Sequence, residues 1–486
     1  MTASAARRWI FLAACLAIFM VSVEATIVAT AIPTIVADLG GLRLFSWVFG
    51  IYFLTQAVTI PIYGRLADIY GRKTLIIIAV SLFLIGSTLS GFAHNMVELI
   101  LYRGLQGLGA GGVMPLASTM VGDIYTGKDR VRVQGYLSSV WGISAVTGPL
   151  LGAFILDHAG WPTIFWLNIP FGILCIGVIV FYFHERIEAH AHRIDYAGSF
   201  LLAGGVGTLM FVLVMLGSLP GSATLALSIV AVILIAWLIL HEWRTPEPMV
   251  PLRLYSHHVV GICNAGSFAI GAITMGLTAF LPTFVQGAMG LSAVLAGATL
   301  GVMSAFWTVG SLIVSRFLIH VQYRTIALMG GVLLVGGSVA LIMLDPDRSI
   351  WWALIGGAVI GVGFGFINIV FVVMTQAAVG WKERGAATAS TQFTRQLGAS
   401  IGTAAFGAIF NLGLYARIPN AGDVVTHMMN PLTRSRLSPL DVETYAGAIA
   451  ASLHGIFIML ALLSVILLLL TWTLPAELNT EEATPA

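Results

Sequence analysis

The sequence predicts an all-α polytopic membrane protein with fourteen membrane-spanning helices. Of the 486 residues, 58% are hydrophobic and only 9% are charged, whereas about 25% of the residues in a soluble domain are charged. Apolar runs close to the roughly 20 residues that cross a bilayer recur from one end of the chain to the other. The lysines and arginines fall mostly in alternate loops between these runs, as the positive-inside rule requires.

Each apolar run is assigned as one helix. The first is much longer than the 7–15 residues of a signal-peptide core, so we expect it to remain as the first span. Three cysteines, Cys15, Cys175 and Cys263, lie singly in different runs and lack the paired spacing of disulfides or zinc sites. The fourteen runs cover 9–36, 45–63, 74–93, 97–121, 133–156, 162–183, 196–217, 222–241, 259–286, 291–318, 325–344, 350–379, 388–412 and 449–473.

The basic residues support this count. If the N-terminus lies inside, sixteen of the 23 lysines and arginines fall in cytoplasmic segments and five in outer loops. The remaining two, Arg103 and Arg395, fall inside spans. Omitting one span would place alternate loops on the wrong side. We therefore expect an even number of crossings with both termini in the cytoplasm.

An internal repeat divides the chain into two halves. The segment GRLADIYGRK (64–73) has a weaker counterpart, SRFLIHVQYR (315–324), and a glycine pair in helix 5 recurs about 250 residues later in helix 13. The predicted units are a six-helix bundle at 1–186, two inserted helices at 187–250 and a second six-helix bundle at 251–486. Two such halves around a central cavity are typical of transporters.

Two ionisable residues lie deep in predicted helices. Glu24 and Arg103 fall at nearly the same depth when a rise of 1.5 Å per residue is applied, so they could pair or share a chain of water. Charged groups at that depth usually belong to a transport pathway or a proton relay. A fixed structural bridge is the alternative. For Arg395, substrate contact, water-lined gating and snorkelling stay open.

Three glycine-rich segments carry the most specific patterns. GRLADIYGRK is interpreted as a tight two-glycine loop between helices 2 and 3, with Asp68 and Arg72 one helical turn apart. RGLQGLGAGG (103–112) and GISAVTGPLLGA (142–153) favour close helix packing, and the proline of the second removes a backbone hydrogen bond within its span. Ordinary small-residue packing is the alternative interpretation of both.

Together these motifs resemble those of the drug:proton antiporters of the major facilitator superfamily, in its 14-helix branch. VEATIVATAIP (23–33) is similar to the helix 1 motif of that branch, which usually has aspartate where Glu24 stands. Arg103 matches the helix 4 arginine that the family uses in proton coupling. The motif between helices 2 and 3, a conformational latch in relatives, is matched at Gly64, Asp68, Gly71 and Arg72. The exporter motif of helix 5 is matched at Gly142, Gly148, Pro149 and Gly152.

The resemblance implies proton-coupled efflux of small lipophilic drugs or metabolites across the bacterial inner membrane by alternating access. At the offset of the repeat, the counterparts of Glu24 and Arg103 in the second half are Thr274 and Ala353, which are uncharged. We therefore expect proton chemistry in the N-terminal half. Polyvalent cations are less favoured as substrates. Residues expected to line the substrate cavity are Gln56, Trp141, Asn264, Asn368, Phe371 and Arg395.

Two other functions stay open at this stage. The first is a proton-coupled importer of a small organic solute on the same fold, which the exporter motif disfavours. The second is a membrane enzyme or sensor, although the histidines lie mostly in loops and form no catalytic cluster. We expect a monomer in membrane lipid that handles protons and a lipophilic substrate, with a periplasmic adaptor as an option. No cofactor, metal or nucleic acid is expected.

Overall fold

The structure is a computed structural model in which all regular secondary structure of the described residues is helical. It describes residues 3–125, 127–183, 185, 195–245, 248–250, 252–317, 321–380, 383–418, 424, 425, 427, 428 and 431–475. The long helices are α1 (Ala3–Leu39), α2 (Phe45–Tyr70), α3 (Arg72–Ser90), α4 (Met96–Ile124), α5 (Gly127–His158), α6 (Asn168–Tyr182), α7 (Tyr196–Val214), α8 (Gly221–Arg244), α9 (His258–Thr283), α10 (Ala293–Phe317), α11 (Tyr323–Ile342), α12 (Trp351–Ala377), α13 (Arg384–Tyr415) and α14 (Pro439–Trp472).

Short helices join or extend several of the long ones. Pro162–Trp166 leads into α6, and a π-helical turn, Phe284–Ala288, continues α9. A short 3₁₀ helix, Leu42–Leu44, precedes α2, and the four-residue helix Leu252–Tyr255 precedes α9. Another, Pro431–Arg434, precedes α14.

Twelve helices in the described part are long and apolar enough to cross a membrane. The long helices α4 and α5 are not among the twelve, so the count of fourteen spans stays a prediction. In α4, the segment 103–112 holds five glycines together with Arg103 and Gln106. For α5, several side chains lie outside the described residues.

The same helix pairings occur in both halves of the chain. In the first half, α4 packs along α2 and α3 while α5 packs along α1. In the second half, α12 packs along α10 and α11 while α13 packs along α9. This pattern is the one expected of an internal duplication. The predicted boundaries of the three units stay predictions.

Two helix pairs make the most extensive contacts between the halves. Helix α2 packs against α13, and α5 packs against α10. At one end of the first pair, Phe45 lies 5.2 Å from Phe280 and 6.0 Å from Phe410 between ring centroids. Nearby, Asn411 donates a hydrogen bond to the carbonyl of Arg43 at 3.0 Å. The halves are therefore in tight contact at the end where α2 begins and α13 ends.

The loop between α2 and α3 is shorter in the structure than the sequence predicts. Helix α2 continues through Gly64 to Tyr70, and Gly71 alone separates it from α3. Gly71 has φ 84°, a backbone conformation that favours glycine. No atom lies within 4 Å of the position that a side chain at Gly64 would take. Good helix formers such as Leu66 and Ala67 follow Gly64, so the helix tolerates this glycine.

The helices α7 and α8 lie at the side of the molecule. Helix α7 packs against α2, α13 and α8, whereas α8 packs chiefly against α7. The outer face of α8 is a band of large apolar side chains. Such a face is suited to lipid contact. Its exposed members are Leu225, Ile229, Val230, Val232, Ile233, Trp237, Ile239, Leu240 and Trp243.

Candidate functional site

A buried ion pair lies among the helices of the first half. Glu24 projects from α1 and Arg103 from α4, and Nη1 of Arg103 donates to Oε1 of Glu24 at 2.6 Å. Both residues have no exposed surface. The structure thus brings together the two residues that the sequence placed at one depth.

Asn168 of α6 is the second donor to Glu24. Its Nδ2 lies 2.6 Å from Oε2 of Glu24, so each carboxylate oxygen accepts one short hydrogen bond. The same Nδ2 lies 3.0 Å from Oγ of Ser87 on α3. Ser87 in turn donates to the carbonyl of Phe165 at 2.7 Å. These contacts connect Glu24 to α3 and to the short helix before α6.

Arg103 has further partners on its own helix and on α2. Its Nη1 donates to Oε1 of Gln106 at 2.6 Å, and its Nε donates to the carbonyl of Val48 at 3.2 Å. The guanidinium also lies 4.2 Å from the ring centroid of Tyr52, within the range of a cation–π interaction. Two polar atoms beside it, Nε2 of Gln106 and the hydroxyl of Tyr52, are buried without a hydrogen bond.

In this arrangement, a proton that binds Glu24 can replace the contact between Glu24 and the Arg103 guanidinium. A proton on Glu24 would cancel its charge, while Arg103 would keep Gln106, the Val48 carbonyl and the Tyr52 ring as partners. Because breaking one side of a buried ion pair costs about 3–5 kcal/mol, such retained partners lower the cost of protonation. The unpaired hydroxyl of Tyr52 can accept a hydrogen bond from the freed guanidinium.

The residues expected to line a cavity lie in several environments. Gln56 is buried on α2 and accepts from Gln396 of α13 at 2.9 Å, across the two halves. Asn264 is buried on α9 and bonds Ser390 of α13 at 3.1 Å. Thr394 donates to the Asn264 oxygen at 3.4 Å. Both amides therefore take part in hydrogen bonds to α13.

The other four residues that we expect to line the cavity do not share one environment. Arg395 is partly buried on α13 and donates to Gln392 one turn away at 2.6 Å. Asn368 is also partly buried. Phe371 is almost fully buried, and its ring packs against Gly266, so it lies inside the packing of the second half. Trp141 belongs to α5, but its side chain lies outside the described residues.

The glycines of the GISAVTGPLLGA motif lie at helix contacts. Gly148 and Gly152 face Thr26 and Thr30 of α1, and a methyl group at either position would collide with a threonine hydroxyl. Gly142 faces Thr308 of α10, on the other half. The carbonyl of Pro149 also lies against α10. Helix α5 is thus the surface on which α1 and the second half both pack.

The GRLADIYGRK segment is attached to its surroundings at both ends. Arg65 donates to the carbonyl of Pro248 at 2.8 Å. After Gly71, the backbone N–H of Lys73 donates to Glu185 at 3.0 Å. Arg72 is partly buried at the start of α3. The side chain of Asp68 lies outside the described residues, so its predicted role as a latch stays a prediction.

The sequence interpretation missed several members of the Glu24 site. Gln106 lies one turn from Arg103, a spacing that allows side-chain contact on a helix. Asn168 is the one amide in the apolar run 162–183, and a polar residue within a span is a functional signal. Tyr52 carries no such signal, because a membrane aromatic usually packs against lipid or another helix.

The model of the Major Facilitator Superfamily matches residues 14–403. The chain belongs to this superfamily. Its members are transporters, so this protein is a multi-pass membrane transporter and not an enzyme. The family assignment agrees with the resemblance seen in the motifs.

Among superfamily proteins, two similar ones come from Bacillus subtilis (strain 168). The chain is 32% identical to the multidrug transporter protein MdtP over 443 residues, which cover 90% of this chain and 80% of that protein. It is 33% identical to multidrug resistance protein 3 over 409 residues, which cover 83% of this chain and 80% of that protein. The chain is therefore a homologue of superfamily drug transporters.

Solved superfamily structures show the same fold. A bacterial homologue of the human lysosomal transporter Spinster, in an inward-facing and unoccupied conformation, matches with a TM-score of 0.67 and 15% identity over 96% of this chain and 97% of that one. A D-xylose–proton symporter matches with a TM-score of 0.61 and 13% identity over 98% and 99% of the two chains. At such identities the likeness concerns the fold alone.

Proposed function

We propose that this protein exports small lipophilic compounds across the bacterial inner membrane in exchange for protons, by alternating access. The observation that carries the proposal is the fully buried Glu24–Arg103 pair, with its second donor Asn168. A carboxylate at that depth is costly, and such residues usually mark a transport pathway or a proton relay. The drug-transporter homologues supply the substrate class.

In this proposal a proton and the Arg103 guanidinium compete for Glu24. A proton that enters from the outer side neutralises Glu24 and frees Arg103 to turn toward Gln106 and Tyr52. Tyr52 lies one helical turn from Gln56, which bonds Gln396 on the other half. The state of the ion pair can therefore bias the contact between the halves. Release of the proton on the inner side restores the pair.

The proposal includes the full topology. Helices α4 and α5 cross the membrane as well, which gives fourteen spans and places both termini in the cytoplasm. Residues 1–186 and 251–486 form the two six-helix bundles, and α7 and α8 are the inserted pair of 187–250. The chain acts as a monomer surrounded by membrane lipid, and the exported compound passes to the periplasm or to an adaptor there.

The remaining motif residues take roles in the conformational change. Gly64, Asp68, Gly71 and Arg72 form the latch at the junction of α2 and α3. Gly142, Gly148, Pro149 and Gly152 allow α5 to pack closely on α1 and α10. Compounds contact Gln56, Trp141, Asn264, Asn368, Phe371 and Arg395 as the cavity opens.

The test is transport in proteoliposomes with an imposed pH gradient and a fluorescent lipophilic dye. We expect Glu24→Gln to abolish gradient-driven dye movement while the protein remains monodisperse and inserted. Glu24→Asp, which keeps the carboxyl, is the matched control and should retain measurable transport. Full gradient-driven transport by Glu24→Gln would remove the basis of the coupling scheme.

The same assay separates an exporter from an importer. An antiporter moves dye against the direction of the proton gradient, whereas a symporter moves both in the same direction. Dye that accumulates on the side to which protons flow would favour the proton-coupled importer. Absence of any effect of the gradient would contradict both.

A further inference from the structure

Two acidic side chains meet at one end of the pair α7 and α8. Asp195 directly precedes α7, and Glu242 lies in the last turn of α8. Glu242 is 3% exposed and the Asp195 side chain is 5% exposed. Buried carboxylates are costly unless donors satisfy them, so the partners of each oxygen decide what state the two residues adopt.

One oxygen of each carboxyl has donors. Oδ1 of Asp195 accepts from the backbone N–H of Gly198 at 2.8 Å, which caps the start of α7, and it lies 2.8 Å from Nε2 of His241. Oε2 of Glu242 accepts from the backbone N–H of Val250 at 2.9 Å. These contacts hold both carboxyls in place.

The second oxygen of each carboxyl is buried without a hydrogen-bond partner. These atoms are Oδ2 of Asp195 and Oε1 of Glu242. Both lie beside Gly198, and a methyl group added there would collide with both. Both oxygens therefore border the same small space beside Gly198. Two acceptors that face each other in this way repel when both groups are ionised.

Other charged or titratable groups around the pair are few among the described residues. His241 already contacts Asp195, and Arg65 of α2 uses Nη2 to bond the carbonyl of Pro248. Tyr255 approaches from the short helix before α9, but its hydroxyl bonds Thr394 at 2.8 Å. Arg65, His241 and Tyr255 all lie close enough to interact electrostatically with Glu242, yet neither free oxygen has a hydrogen-bond donor among the described residues. A proton is the smallest group that would satisfy both atoms at once.

We propose that Asp195 and Glu242 form a second proton-binding site, distinct from Glu24, in which one carboxyl donates a shared proton to the other. The proton converts two facing acceptors into a donor and an acceptor, and it leaves the pair with one net negative charge beside His241. Two interacting carboxyls of this kind titrate as a unit. The site does not depend on the proposed transport direction or substrate.

The site is connected to both halves of the protein. Glu242 and Arg65 hold opposite ends of Pro248–Val250. Arg65 follows Gly64 on α2, and Tyr255, a few residues after Val250, reaches Thr394 on α13. Loss of the proton would leave two negative charges beside Gly198, and their repulsion would push the carboxyls apart and shift the oxygen of Glu242 that holds Val250. Protonation of the pair can therefore influence how α2 and α13 are held together.

Infrared spectroscopy of the full-length protein tests the proposal, because a protonated carboxyl has a carbonyl band separate from that of a carboxylate. The measurement uses a Glu24→Gln background, so that Glu24 does not contribute, and a pH change from about 5 to about 9. We expect this background to keep a protonated-carboxyl band at neutral pH. Adding Glu242→Gln should remove that band.

Asp195→Asn serves as the second variant. Asparagine can still cap α7 through its side-chain oxygen, and an altered or lost band is expected because the shared proton loses its acceptor. Gly198→Ala, which inserts a methyl group between the two free oxygens, should also shift the band, whereas Gly204→Ala, with more room, should not. Spectra that are identical with and without Glu242 and Asp195 would show that both groups are ionised and would overturn the inference. This result would leave the Glu24 scheme untouched.

Discussion

Nδ2 of Asn168 lies 2.6 Å from Oε2 of Glu24, on the side of the carboxylate opposite Arg103. The amide therefore fixes the orientation of the acid toward the guanidinium. An amide can donate to an ionised carboxylate or accept from a protonated one through its oxygen. Asn168 is thus suited to support Glu24 in either protonation state.

Asn168→Leu should slow proton-coupled transport strongly and destabilise the fold. The change leaves Oε2 of Glu24 buried without a donor, which costs about 1–3 kcal/mol. Transport in proteoliposomes and thermal unfolding in detergent measure the two effects. Ser87→Ala is the control, because it removes a neighbour of Asn168 but leaves the bond to Glu24. Equal loss of transport in both variants would contradict the orienting role of Asn168.

Gly148→Val should disrupt the contact between α5 and α1. The added side chain would collide with Thr26, and overpacking of this kind typically costs about 1–3 kcal/mol. Gly177→Val in α6 is the matched control, since no atom lies within 4 Å of the position of its side chain. Melting temperatures of the purified variants give the measurement. A Gly148 variant as stable as the Gly177 variant would show that α1 and α5 do not need this close approach.

Gly71 and Gly64 should respond to alanine in opposite directions. Gly71→Ala forces a side chain into φ 84° and ψ 152°, a region essentially restricted to glycine, at a cost of about 1–3 kcal/mol. Gly64→Ala adds a helix former to an open position inside α2, with an expected gain of about 0.5–1 kcal/mol. Thermal unfolding of both variants measures whether the first substitution lowers the stability and the second raises it. Destabilisation by Gly64→Ala would mean that residues 64–70 need the glycine for another conformation.

Arg395→Gln should change which compounds the protein transports. Among the described residues its recorded side-chain contact is with uncharged Gln392, so its positive charge is available to an anionic compound. Removing this charge should weaken competition by anionic compounds about tenfold relative to neutral ones, a difference of about 1.4 kcal/mol. Competition against dye transport provides the measurement. Arg348→Gln, at an exposed position, should leave the profile unchanged, and an equal shift in both variants would exclude a specific contact.

The sequence predicted the helices well because each span must bury a long apolar run. Each of the helices α1 to α14 overlaps one of the fourteen runs, although α14 begins at Pro439 and its run only at 449. The end of α2 was misplaced, since a glycine at position 64 was interpreted as part of a loop. A single helical glycine costs little when strong helix formers follow it, and the sequence alone does not show how a chain turns with one residue at Gly71.

The ion pair was predictable in part, from depth alone. Helical rise placed Glu24 and Arg103 at one level, whereas the contribution of Asn168 depends on how α6 is rotated against α1. Rotation is set by packing among several helices, and no pattern in the run 162–183 specifies it. The same reason applies to Phe371, whose ring faces Gly266 of α9. Which side of an all-apolar helix meets the cavity is decided by its neighbours.

The sparse packing of α8 has a consequence for purified protein. Because this helix leans chiefly on α7 and presents a broad aliphatic surface outward, its tilt depends on the thickness and chain length of whatever amphiphile surrounds it. Glu242 lies in the last turn of α8 and bonds the N–H of Val250. A change in the tilt of α8 would therefore move residues 248–250 as well. The choice of detergent or lipid is therefore expected to affect the buried contacts of Glu242 as well as the outer surface of α8.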